Sequence, residues 1–323
     1  MAEDYKSRAD YIARNKKNNK RKWPWFLLAM LLIVGLIVGK LYMDIQQAVE
    51  SIHEVKPENQ IVMRTESVNI GQIETENLEP FSVLLLGVDT GALGRIEQGR
   101  SDVVIIATVN PSNNRTTLTS IPRDSLVDIV GHNTQDKINH AYAFGGVAMT
   151  VNTVQELLDV PVDYTVSVNM GGLVDIVDAV GGVTVTSPLT FSNEGYDFYE
   201  GQSVLMDGEM VLAYTRDRFN EDGDYGRQDR QRQVISTLLK SALSLDNILN
   251  YQDLLETLNG NVQTDLTFSQ MTILFKNYLK ALGEIESFQL SGNGQMIDGV
   301  YYEVLDETSL DSIRQMLKVE LEI

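Results

Sequence analysis

FSVLLLGVD (81–89), SDVVIIATVN (101–110) and TTLTSIPRD (116–124) decide the fold: three short runs rich in β-branched and aliphatic residues, separated by Gly, Pro, Asn and Ser clusters. Apolar runs of this length, bounded by turn residues, read as buried strands. Downstream the texture alternates. AMTVNTVQELLDV (148–160) reads as helix, DYTVSVN (163–169) as strand, GGLVDIVDAV (171–180) as helix and GGVTVTS (181–187) as strand. This is the pattern of an α/β fold in which helices flank a central mixed sheet. From residue 207 the pattern is helical through LAYTRDR (212–218). A Gly/Asp loop, NEDGDYG (220–226), then leads into a long helix over about 227–245. Residues 246–323 read as two or three helices with short strands at 261–266 and 287–291, an extension that completes the same domain.

Upstream, WPWFLLAMLLIVGLIVG (23–39) holds 17 residues without a charge, at the short end of the roughly 17–25 needed to cross a bilayer. A basic flank, KKNNKRK (16–22), precedes it and an acidic one follows, so the spacing predicts one N-terminal transmembrane helix over 23–42. Residues 1–22 then form a cytoplasmic basic tail, and everything after the helix lies outside the cell membrane. Residues 43–80, polar and acidic with a helix near 45–54, suit a stalk. The net charge of −19 hides an asymmetry: residues 1–42 hold 9 Lys+Arg against 3 Asp+Glu, leaving 17 basic and 42 acidic residues beyond. So acidic an exterior repels nucleic acid, whose binding depends on neutralising phosphates. Zero cysteines exclude a disulfide framework, a thiolate metal site and a cysteine nucleophile. His53, His132 and His140 have no metal-ligand spacing, and no nucleophile-elbow or P-loop motif occurs.

Within this acidic region, RDRFNEDGDYGRQDRQRQ (216–233) places Arg216, Arg218, Arg227, Arg230 and Arg232 within 17 positions. Arginine presents a planar, permanently charged fork that matches phosphate. A solvated, charge-balanced helix face is the plain alternative, and helical phase argues against it. Arg227 and Gln231 fall on the stripe of Ile235, Leu238 and Leu239, while Asp229, Gln233 and Lys240 face away. An inward arginine needs an anionic partner, either a carboxylate such as Asp224 or a bound phosphate. A second group lies at strand ends: Asp89 after the first run, Asp102 opening the second behind Arg100, and Arg123 closing the third. Ligands of open α/β sheets bind beyond strand ends. Asp89 and Asp102 could hold Mg²⁺, which takes one or two carboxylates together with phosphate oxygens. Taken singly, each acid reads first as a turn or cap residue, and it is the arginines beside them that favour a metal. Lys137, in the loop DKINHAYAFGG, could reach an anion.

In order along 81–240, VLLLGVD, GRSD, SIPRD, KINHAYAFGG, NMGGLVDIVDAVGGVTV, LMDGEMVLAYTRDR and GDYGRQDRQRQ resemble the LytR-CpsA-Psr family, which attaches teichoic acids, capsule and related glycopolymers to peptidoglycan. The resemblance implies a catalytic domain over 81–245 with Asp89 and Asp102 as metal ligands. Arg100, Arg123, Arg216, Arg218, Arg227 and Gln231 would contact a pyrophosphate. Arg123 and Asp102 would be the catalytic pair, with Mg²⁺, or alternatively Mn²⁺, as cofactor. It further implies a polyprenyl-pyrophosphate-linked glycopolymer as donor, its tail in an apolar groove between sheet and helices, and N-acetylmuramic acid of peptidoglycan as acceptor. A carrier hydrolase and a non-enzymatic scaffold or attenuator of envelope gene expression are the alternatives. Val103 departs from the threonine that many relatives carry, and the loop 218–224 is about one residue short.

Overall fold

The computed structural model describes residues 23–58, 60–64, 68, 70, 78–89, 99–218, 223–242, 257, 258 and 260–323. The basic tail expected over 1–22, the loop 219–222 and the expected helix end at 243–245 lie outside these residues. The chain forms two compact units, Met1–Gln47 and Ala48–Ile323. The described residues of the first, 23–47, all belong to helix α1, Trp23–Ile52. Among the described residues no helix is long and apolar enough to cross a membrane.

The second unit is built on a six-stranded sheet of β1 (Phe81–Val88), β2 (Ser101–Asn110), β3 (Arg115–Ser120), β4 (Tyr164–Asn169), β5 (Val262–Thr264) and β6 (Glu284–Gln289), in the order β5-β4-β1-β2-β3-β6. Pairing is antiparallel for β1 with β2, β2 with β3 and β4 with β5; it is parallel for β1 with β4 and β3 with β6. The sheet is therefore mixed. Its two central strands, β1 and β2, are consecutive in apolar residues because both faces are covered, whereas β3 beside them is rich in threonine. Leu84, Leu86, Val88, Val104 and Ile106 pack on one face beneath α2 (His140–Leu158) and a C-terminal helix, Glu307–Leu321. Phe81, Val83, Ile105, Val109 and Leu118 take the other, with Tyr278 and Ala281. On this second face lie α3 (Met170–Ala179) and α5 (Gly223–Ala242), with α4 (Gly208–Arg216) packed against both.

Three features differ from the sequence-based expectation, each for a local reason. The α2 helix begins earlier than residue 148, because a preceding turn joins it across a kink where Gly145 and Gly146 leave helical geometry, Gly146 at φ 63°. Val183–Thr186 does not enter the central sheet; it pairs only with Ser203–Met206. Its VTVT alternation, buried on every second residue, is that of a strand with one wet face. Past β6, a hairpin of Gly292–Ile297 and Val300–Leu305 stands where no strand was anticipated.

Candidate active site

The ends of β1 and β3 and the start of β2 meet along one edge of the sheet. Val88 pairs with Ser101, and the Asp89 N–H donates to the Arg100 carbonyl at 3.0 Å. Ile121 N–H donates to the Val104 carbonyl at 2.9 Å, which sets Arg123 across from Asp102. From this edge a cavity of about 570 Å³ runs between the second sheet face, α3 and α5. Its depth is apolar, with Leu85, Val103 and Val166 from the sheet, Leu173 and Ile176 from α3, and Ile235, Leu238 and Leu239 from α5. Gly87 sits in the wall because nothing larger fits: a Cβ there would lie 2.8 Å from Val103 Cβ.

Asp89, Asp102, Arg123, Arg216, Arg218, Arg227 and Gln231 all border this cavity. The helical phase of α5 therefore delivers Arg227 and Gln231 together with its apolar stripe. Arg100 is exposed at the approach to β2 and does not border the cavity. Arg230 and Arg232 are structural. Arg230, 1% exposed, donates to the Tyr214 carbonyl at 2.9 Å and to Asp217, with Phe191 stacked 4.8 Å from its guanidinium. Arg232 binds Ser120 Oγ at 2.6 Å and Asp229. Lys137 is paired with Asp124 at 2.7 Å.

Three of the arginines at the mouth are held by carboxylates. Arg123 Nη1 meets Asp102 Oδ1 at 3.0 Å, Arg227 Nη2 meets Asp224 Oδ1 at 2.6 Å, and Arg216 Nη1 meets Glu194 Oε1 at 3.5 Å. Burial works against the charge on Arg123, but Asp102, Asp124 and Asp224 outweigh it and hold the guanidinium above the usual arginine value. At Arg227 burial wins. Its pKa is lowered, with repulsion from Arg123 and Arg218 opposing the attraction of Asp224 and Asp102. The Nε atoms of both Arg123 and Arg227 are buried without a hydrogen-bond partner. Buried donors of this kind are costly unless an acceptor arrives, and an anion between Arg123 and Arg227 would satisfy both. Sequence reasoning missed Glu194 and Asn193, which border the mouth from the tip of a small hairpin. Its tell-tale was N-E-G in FSNEGYDF, where Glu194 and Gly195 adopt φ 50° and 88°.

Fold and site together define an α/β domain that can bury a long apolar chain and grip an anionic group at its opening. The LytR_cpsA_psr family model matches residues 39–319, and the chain belongs to that family. It is 45% identical over 91% of its length, and 94% of the relative's, to the polyisoprenyl-teichoic acid--peptidoglycan teichoic acid transferase TagU of Enterococcus faecalis. To the protein of the same name in Bacillus subtilis it is 42% identical, over 96% of this chain and 99% of the relative. A solved structure of the LytR-CPS2A-psr family protein YwtF (TagT) with bound octaprenyl pyrophosphate lipid superposes with a TM-score of 0.65. The two are 31% identical, over 84% of this chain and 99% of that one.

Proposed function

We propose that this chain is a phosphotransferase of the bacterial cell surface that moves a glycopolymer of the teichoic-acid type from a polyprenyl-pyrophosphate carrier to peptidoglycan. The observation that carries this reading is the continuity of one cavity from an apolar interior to an arginine-lined mouth, the shape of a site for an amphiphile with a hydrocarbon tail and an anionic head. The names of the relatives supply donor class and acceptor, and the lipid bound in the solved relative supplies the headgroup. Attachment to the membrane by a single helix over 23–42, amino terminus inside, rests on the charge-free run 23–39 and its basic flank. Nucleic acid has no place in this scheme.

In the proposed reaction a peptidoglycan hydroxyl, that on C6 of N-acetylmuramic acid, attacks the sugar-side phosphorus, its proton passing to Asp102 or to the departing phosphate. The bond from that phosphorus to the bridging oxygen breaks, and polyprenyl monophosphate leaves. Such transfers depend on positioning and on neutralising charge. Arg123 and Arg227, whose buried Nε groups make no hydrogen bond, would take the charge that builds on the leaving phosphate. Arg216, Arg218 and Gln231 would hold the remaining phosphate oxygens, and Arg100 would approach from the exposed side. The donor set fits Mg²⁺ or Mn²⁺: Asp89 and Asp102 both border the cavity, and such ions need only one or two protein carboxylates beside phosphate oxygens and water. Among the described residues there is no cluster of three or more acidic or histidine ligands, so the substrate would complete the shell. Bound there, the ion supplies neutralising charge.

The test is reconstitution of the full chain with a polyprenyl-pyrophosphate-linked sugar, Mg²⁺ and peptidoglycan oligomers. Sugar attachment that disappears in Arg123→Ala and Asp102→Ala supports the transferase. Sugar phosphate released without attachment makes it a carrier hydrolase, and carrier retained without turnover makes it a scaffold.

A further inference from the structure

Outside the cavity, a continuous row of polar and aromatic side chains leads away from its mouth. Arg123 Nε lies 3.5 Å from Asp124 Oδ2, and Asp124 Oδ1 accepts from Lys137 Nζ at 2.7 Å. Lys137 sits 5.8 Å from the centre of the Tyr302 ring, and Tyr302 OH reaches Asp136 Oδ1 at 3.5 Å. Asp136 Oδ2 pairs with His140 Nδ1 at 2.8 Å. The His140 ring meets Phe144 edge-on at 5.8 Å, and Phe144 stacks on His132 at 4.1 Å with the planes 8° apart. Phe144 is nonetheless 43% exposed. The row is also tied to the site through the backbone, since Asn139 N–H donates to the Arg123 carbonyl and Ile138 N–H to that of Ser125.

We propose that this shelf is an acceptor subsite that binds the glycan strand of peptidoglycan, an inference that rests on the transferase reading above. A pyranose ring has an apolar C–H face and a polar rim. Aromatic faces pack against the first, and Lys, Asp and His side chains bond to the second. A lipid or a protein partner would call for a contiguous apolar patch; here aromatic and polar groups alternate, and Phe144 is the row's one exposed large hydrophobic residue. Position agrees with chemistry, because the attacking hydroxyl must arrive beside Arg123, where the row begins.

The full chain in detergent is titrated with a soluble tetrasaccharide of alternating β-1,4-linked N-acetylglucosamine and N-acetylmuramic acid, and separately with octaprenyl pyrophosphate. Phe144→Ala is expected to weaken tetrasaccharide binding about tenfold, the scale of one aromatic contact. Phe144→Trp restores it, and octaprenyl pyrophosphate binds all three proteins alike. Equal tetrasaccharide affinity in wild type and Phe144→Ala, or no binding by wild type, overturns the shelf. Should Phe144→Ala also lose the lipid, its fold is disturbed, and the exposed His132→Ala decides by the same criterion. Tetrasaccharide binding without any transfer would overturn the transferase reading while the glycan site stood; transfer without a Phe144 effect would do the reverse.

Discussion

Arg227 and Arg230 lie three positions apart on α5, both buried, but Arg227 borders the cavity and Arg230 does not. Arg230 is enclosed by acceptors, the carbonyls of Tyr214 and Asp217 and the Asp217 carboxylate. Arg227 keeps a buried Nε without a partner. Substituting Arg230 by Ala strands the Asp217 carboxylate and should lower unfolding free energy by about 3–5 kcal/mol, measured by urea denaturation. Arg227→Ala should leave the denaturation midpoint nearly unchanged, because it removes a desolvated charge, while transfer falls. Arg123→Ala should reduce the transfer rate roughly a hundredfold to a thousandfold, the usual effect of losing one charge contact in a transition state. Arg123→Lys should rescue little, because a point charge cannot replace the guanidinium fork. Sequence alone could separate only part of this cluster. Helical period selects Arg227 and Gln231 because both share a stripe with Ile235, but the enclosure of Arg230 depends on Phe191 and Tyr214, contacts that only tertiary folding creates.

Among the elements, β1 and β2 show how the cavity wall is kept thin. A methyl group at Gly87 would collide with Val103, and a bulge between Gly87 and Val88 shifts the register beside it. Gly87→Ala should therefore destabilise the domain by about 1–3 kcal/mol. The double variant Gly87→Ala/Val103→Ala should recover most of that loss, a coupling expected only between contacting residues and measurable from the four denaturation curves. The central strands were readable because apolar runs covered on both faces have few other interpretations. The hairpin Gly292–Leu305 was not, since its first strand is exposed along nearly its whole length and its second buries only Glu303, so neither carries a core pattern. Its signal was the turn pair Asp298–Gly299, at φ 51° and 83°, the Asp-Gly chemistry of a two-residue hairpin turn. That hairpin matters at the site: Glu303 N–H donates to the Asp124 carbonyl at 2.9 Å, and Tyr225 OH donates to Glu303 Oε1 at 2.6 Å, so it braces both the Arg123 loop and the first turn of α5.

At the scale of the whole molecule, the segment after α1 is fastened to the end of the sheet remote from the mouth. Arg64 pairs with Asp163 at 3.2 Å and Lys56 with Asp265 at 3.5 Å. Burial raises the pKa of both carboxyls above the ordinary carboxylate value, against the pull of their hydrogen bonds and cations. Each folded-state carboxyl therefore holds its proton more tightly than the unfolded chain does. Its stabilising contribution is present at low pH and is lost as pH rises from the ordinary carboxylate value through the raised one. Above about pH 4, the ordinary aspartate value, the stability of Asp163→Asn relative to wild type should accordingly rise with pH until the raised value is passed, as urea midpoints along a pH series would show. None of this was legible beforehand, because residues 43–80 read only as a polar stalk and the partners of Arg64 and Lys56, Asp163 and Asp265, lie 99 and 209 positions away. Charge, by contrast, was legible at this scale, and it bears on what the mouth admits. With Arg123, Arg216 and Arg227 each engaged by an acid of the same chain, the opening is a poor trap for inorganic phosphate drifting in from the medium. A stray anion would have to displace those acids unaided, whereas a carrier arrives with its tail already sheltered in the apolar depth, so admission is granted by the lipid and only then by the phosphate.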